Sequence, residues 1–160
     1  MENQNKLFMN VAKLFASQST CVKRQVGSIL VKDQRILSTG YNGTPTGFCN
    51  CNEIFQNKDG QVVQRKNINF SFLDRISNHH EFAESFEIHA EQNCLSFAAK
   101  NGIRTKNCTL YVTTAPCVNC AKIIIACGIK KVVYLDNYKN EAGLDLLKIA
   151  NIDCEKFQEN

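Results

Sequence analysis

The chain has 160 residues, 44% of them hydrophobic and 21% charged, enough to bury one core without covalent staples and too apolar for a disordered polypeptide. Nineteen Lys and Arg against fifteen Asp and Glu leave a formal charge of +4 spread along the sequence, so nothing in it marks a nucleic-acid-binding or membrane-binding surface. Polar residues at Asn3, Gln4, Asn5, Asn10 and Lys13 interrupt any apolar run in residues 1–17; no signal peptide or membrane span is expected there, and the expectation is a cytoplasmic protein. Nine cysteines, an odd count in that setting, are expected to be metal ligands and small buried hydrophobes rather than a disulfide framework.

Leu7, Val11, Leu14 and Phe15 recur on one helical face and predict an amphipathic helix over 6–17. Two β-rich runs, 27–31 and 36–41, are separated by Lys32, Asp33 and Gln34 and form an antiparallel hairpin. Gly40-Tyr41-Asn42-Gly43-Thr44-Pro45-Thr46-Gly47 is dense in turn residues, and from there to about residue 86 no clear periodicity follows. A stretch of that length, 48–86, reads as an insertion that needs something to tie it down.

Beyond it the pattern regularises into a helix over 88–100 closed by Asn101-Gly102, a strand over 109–113, a helix over 117–127 ended by Gly128, a strand over 131–135, a helix over 141–150 and an edge strand over 154–157. Strands alternating with helices imply one sheet covered on both faces, in a single domain spanning 1–160.

Two motifs carry chemistry: His89-Ala90-Glu91 and Pro116-Cys117-Val118-Asn119-Cys120, each where a helix begins. Cys117 and Cys120, three apart, share one side of a helix, and the helix start stabilises thiolates. His89 and Glu91, two apart, would lie on nearly opposite sides of a continuous helix, so they can serve one site only at the helix mouth. One imidazole and two thiolates are preferred zinc ligands, and three protein ligands leave a position for water. The bland alternative is a closed zinc knuckle with Cys94 or Cys127 as fourth ligand, which would leave Glu91 idle.

His-x-Glu followed by Pro-Cys-x-x-Cys resembles the signature of the zinc-dependent cytidine and deoxycytidylate deaminase family. The likeness to its deoxycytidylate branch extends over Val26-Gly27-Ser28-Ile29-Leu30-Val31, the Gly40–Gly47 loop, Glu87-Ile88-His89-Ala90-Glu91-Gln92-Asn93, and Tyr111-Val112-Thr113-Thr114-Ala115-Pro116-Cys117 with Cys120-Ala121-Lys122. It implies an α/β, three-layer α/β/α fold with a central mixed five-stranded sheet. It also implies catalytic zinc on His89, Cys117 and Cys120, with Glu91 carrying a proton from water to the ring nitrogen and then to departing ammonia.

The implied reaction is hydrolysis of dCMP to dUMP, which supplies thymidylate synthesis. Asn42 and Tyr138 are the implied substrate contacts, whereas Lys100 is either a phosphate ligand or a helix-end cation. Some members hold a second, structural zinc, and the matching positions are Cys21, Cys51, His79 and Glu87, with Cys49 as the alternative to Cys51 and His80 as the alternative to His79. The resemblance further implies a homo-oligomer, in some relatives a hexamer, activated by dCTP with Mg2+ and inhibited by dTTP. Other readings are a deaminase of a different cytosine or adenine substrate, a nucleoside or tRNA, and a zinc-binding module without catalysis. Scattered Lys and Arg disfavour the tRNA reading, and Glu91 disfavours the inert one. Cys94, Cys108, Cys127 and Cys154 are expected to pack as structural residues.

Overall fold

The computed structural model describes residues 2–66, 71 and 75–159. Helix α1 (Glu2–Ala16) precedes the hairpin of β1 (Gly27–Lys32) and β2 (Arg35–Tyr41). Then come α2 (Cys51–Ile54), β3 (Phe55–Lys58), β4 (Gln61–Gln64) and α3 (His79–Phe86). The regular part follows as α4 (Ala90–Lys100), β5 (Thr109–Thr114), α5 (Val118–Ala126), β6 (Lys131–Asp136), α6 (Ala142–Ile149) and β7 (Asp153–Lys156).

The main sheet has five strands in the order β2-β1-β5-β6-β7. Its first two pairings are antiparallel and its last two parallel, so the sheet is mixed, as expected. Alternation along the strands sorts side chains between two cores. Leu30, Leu110, Val112 and Val132 join Leu95, Ala98, Ile124, Leu144 and Leu147, the inner faces of α4, α5 and α6. Ile29, Val31, Tyr111 and Val133 join Phe8, Met9 and Ala12 of α1 on the other face. One helix on one face and three on the other make the three-layer α/β/α architecture.

The β1–β2 turn is a two-residue one, since Lys32 pairs with Arg35. Asp33 and Gln34 both have positive φ, 47° and 61°, the twist-matching geometry of a type I′ hairpin. Helix α4 begins at Ala90 rather than at the expected Ile88, because Ile88 is taken into an isolated bridge with Gly43. All nine cysteines are free, and Cys94 and Cys108 are buried in the main core with Cys127 and Cys154 packed against it.

The region expected to lack periodicity has structure of its own, although part of it, residues 67–70 and 72–74, lies outside the described residues. Strands β3 and β4 form a hairpin across Asp59-Gly60, with φ of 49° and 84°. Cys21, Cys51, Ile54, Phe55 and Phe82 form a third, small core under this region.

Candidate active site

His89 is the residue on which α4 starts, not a helical residue: its φ of −67° and ψ of 154° are extended. Its N–H donates to Gln92 Oε1 at 3.0 Å, so the helix start closes on itself. This extended residue removes the conflict posed by the two-residue spacing, because His89 and Glu91 no longer share one helical progression. Cys117 plays the equivalent part for α5, with φ −73° and ψ 170°, rather than lying inside the helix as expected. Its sulfur accepts the N–H of Cys120 at 3.5 Å.

The two helix starts meet. His89 Nδ1 lies 3.6 Å from Cys117 Sγ and 3.4 Å from Cys120 Sγ, and the three donor atoms fall within 4.8 Å of one another. A tetrahedral ion with bonds of about 2.0 Å to nitrogen and about 2.3 Å to sulfur holds such donors about 3.6 Å apart. The donor set therefore fits zinc in chemistry and spacing. Among the described residues neither Cys94 nor Cys127 joins the group, so neither closes the site as a fourth ligand.

Electrostatics around these donors follow from crowding. The Cys117 thiol is held down at about 3, chiefly by the hydrogen bond from Cys120, while that bond and burial push Cys120 well above the ordinary thiol range. The Cys117 contact raises His89 to about 8. Glu91 is 4% exposed, and desolvation lifts its carboxyl to about 7, where it can both accept and return a proton near neutrality.

Two close packings hold this geometry. A Cβ on Gly143 would stand 2.0 Å from the Pro116 carbonyl oxygen, so only glycine lets α6 lie against the turn that presents Cys117. A Cβ on Gly40 would stand 2.5 Å from the Ala90 carbonyl, which is how β2 reaches the first turn of α4. Gly43 and Ile88 exchange hydrogen bonds at 3.1 and 2.8 Å directly before His89. Periodicity gives no sign of these three contacts, although the glycine density of the 40–47 loop was the available signal for the two made by Gly40 and Gly43.

A cavity of about 380 Å³ opens onto the site, within the usual range for small-molecule sites, and includes His89, Glu91 and Cys117 in its walls. Asn42 and Tyr138 also line it. Asn42 does more than face the cavity: its Oδ1 accepts from Val26 N–H at 2.8 Å and its Nδ2 donates to the Arg24 carbonyl at 2.9 Å. That amide clamps the loop between α1 and β1. Lys23, Arg24 and Lys139 line the same cavity and were not singled out in sequence. Lys100 does not line it; it stands in the last turn of α4, at the opposite end from His89.

A second cluster lies beside the same cavity. Cys21, Cys51, His79 and Glu87 bring four donor atoms within 4.8 Å of one another, with His79 Nε2 3.6 Å from Cys21 Sγ and 3.3 Å from Cys51 Sγ. Cys51 and His79 are buried, while Cys49 is half-buried and His80 exposed. Glu87 Oε1 is buried with no hydrogen-bond partner, and burial raises its carboxyl to about 7. This donor set also fits zinc.

Residues 2–136 match the family model described as the cytidine and deoxycytidylate deaminase zinc-binding region. The deoxycytidylate deaminase of Enterobacteria phage T2 is 37% identical over 164 residues, covering 91% of this chain and 87% of that one. The deoxycytidylate deaminase of Saccharomyces cerevisiae is 35% identical over 153 residues, covering 94% of this chain and 43% of that one. Among solved structures, the dCMP deaminase of cyanophage S-TIM5 in complex with dCMP and dUMP matches with a TM-score of 0.73 and 34% identity over 94% of each chain. The chain belongs to the cytidine and deoxycytidylate deaminase family. It is a hydrolase of the zinc-binding deaminase class, and the relatives just described are named deoxycytidylate or dCMP deaminase.

Proposed function

We propose that this protein hydrolyses dCMP to dUMP and ammonia. The observation that carries the reading is the assembly of His89, Cys117, Cys120 and buried Glu91 on one cavity. The substrate follows from kinship with a phage enzyme that binds dCMP and dUMP across nearly its whole length. His89 Nδ1 and the sulfurs of Cys117 and Cys120 would hold the zinc. When bound, zinc supplies Lewis acidity that makes water a nucleophile near neutral pH.

Glu91 handles the protons. As the carboxylate it takes one proton from the attacking water and passes it to the ring nitrogen as the carbon–oxygen bond forms; it then takes the second proton, from the hydroxyl now on that carbon, and gives it to the amine, which leaves as ammonia as the carbon–nitrogen bond breaks and the carbonyl forms. Its burial keeps bulk water from competing for that proton and holds its affinity near the working pH. The walls of the cavity, Asn42 and Tyr138 among them, bound the space for the sugar.

The second cluster is read as a structural zinc on Cys21, Cys51, His79 and Glu87. Four donors leave no position open, and a metal would answer the orphaned Glu87 oxygen. Family kinship supports three further assignments: a cytoplasmic homo-oligomer, in the hexameric form of some relatives, activation by dCTP with Mg2+, and inhibition by dTTP.

Glu91→Gln tests the chemistry. It keeps the shape but cannot accept a proton, so turnover should fall roughly 10²- to 10⁴-fold with zinc content and folding unchanged. Turnover within a few-fold of the unaltered protein would remove Glu91 from the proton path.

A further inference from the structure

Ser19 follows the end of α1 and is 4% exposed. Each of its polar groups is engaged. Its N–H donates to the Ala16 carbonyl at 3.0 Å, and its carbonyl accepts from Gln25 Nε2 at 2.6 Å. Its hydroxyl donates to the Asn42 carbonyl at 2.8 Å and accepts the Cys21 N–H at 3.2 Å. One short side chain therefore joins the end of a helix, a residue of the cavity wall and a residue of the second cluster.

Asn42 is held by more than this hydroxyl. Its N–H donates to the Val26 carbonyl at 3.1 Å, and its amide bonds the Val26 N–H and the Arg24 carbonyl. Next to it Gly43 exchanges hydrogen bonds with Ile88, the residue after Glu87. Cys21 and Glu87 belong to one cluster, so the contacts close a ring through Cys21, Ser19, Asn42, Gly43, Ile88 and Glu87. That ring fixes the backbone that carries the Asn42 amide at the cavity wall. A wall ordered in advance spends little entropy when a ligand arrives.

We propose that Ser19 is a positioning residue for the substrate: by holding the Asn42 carbonyl it keeps the Asn42 amide where the nucleotide meets it. The inference rests on the dCMP reading above, with Asn42 as a substrate contact. The physical reason is that the reacting groups and the wall are held by different means. His89, Cys117 and Cys120 stand at the starts of α4 and α5, which the close packing at Gly40 and Gly143 secures. The hydroxyl of Ser19 instead serves the loop and the wall. Removing it leaves the chemistry in place but takes the partner from a buried carbonyl, so the segment rearranges to satisfy that group. Substrate must then restore an order that it would otherwise find ready-made.

The experiment measures kcat and KM for dCMP, the dissociation constant of dUMP and the zinc content of the zinc-loaded protein, unaltered and as Ser19→Ala, Ser19→Thr, Asn42→Ala and the Ser19→Ala, Asn42→Ala double variant. Ser19→Ala should raise KM and the dUMP constant together, roughly 5- to 30-fold, with kcat within about twofold and zinc content unchanged. Ser19→Thr keeps the hydroxyl and should recover most of the loss. Adding Ser19→Ala to Asn42→Ala should cost nothing further, because both changes remove the same contact. Should circular dichroism show Asn42→Ala unfolded, the split between KM and kcat and the recovery by threonine decide. An unchanged KM in Ser19→Ala, a rise accompanied by lost zinc, or additive costs in the double variant overturns the positioning role. An unaltered protein that does not deaminate dCMP overturns instead the reading on which it rests.

Discussion

His89 and Glu91 serve one cavity because a single residue departs from helical geometry: ψ of 154° at His89 turns its imidazole toward the cysteines before α4 begins. The sequence could demand this, since two residues of helical progression would point the side chains apart, and it could name all three zinc-type donors. What it could not show is how the donors share protons. In the metal-free protein Cys120 keeps its proton to hydrogen-bond the Cys117 thiolate, and His89 is raised to about 8 by the same sulfur. Zinc requires both thiolates and a free imidazole nitrogen. Loading at pH 7, below the His89 value, therefore displaces one proton from Cys120 and one from His89. Acid reverses this, so affinity at this site should fall about 100-fold for each pH unit below 7. Residual zinc after dialysis across that range checks it, and retention independent of pH would contradict it.

At the scale of elements, the strands and helices of the regular half announce themselves by period, and the structure moves their ends by only one or two residues. The insertion was opaque because its elements are short and its small core draws on distant residues, Cys21 among them. One local sign was present: Asp59-Gly60 between two polar-apolar runs is turn chemistry for the β3–β4 hairpin. Helix α3 shows why this region matters to the site. It carries His79 of the second cluster and, on its cavity side, His80, Ala83 and Glu84, so whatever fixes the cluster also fixes a cavity wall. Cys51→Ala should remove one zinc per chain and lower thermal stability by at least about 3 kcal/mol, or roughly 10 °C for a chain of this size. Its KM for substrate should rise as the α3 wall loosens. Unchanged metal content together with unchanged melting would refute the structural zinc.

For the whole molecule, the order β2-β1-β5-β6-β7 brings the starts of α4 and α5 together from segments well apart in sequence, beside the edge of the insertion. Sheet order of this kind depends on long-range pairing, which periodicity does not encode; the family resemblance implied only that the sheet is mixed and five-stranded. The same resemblance implies Asn42 as a substrate contact; the fold places it in the cavity wall and bonds its amide to the loop that carries Arg24. The molecule thus brings a buried carboxylate, three metal-type donors and a clamped loop onto one cavity.

The most direct test is ammonia release by the purified zinc-loaded protein from dCMP, CMP, deoxycytidine and cytosine, compared side by side, with dUMP identified as product. The predicted result is strong preference for dCMP with one dUMP formed per ammonia. Release from none of the four, with zinc bound and the fold intact, would contradict the assignment of this site to dCMP hydrolysis.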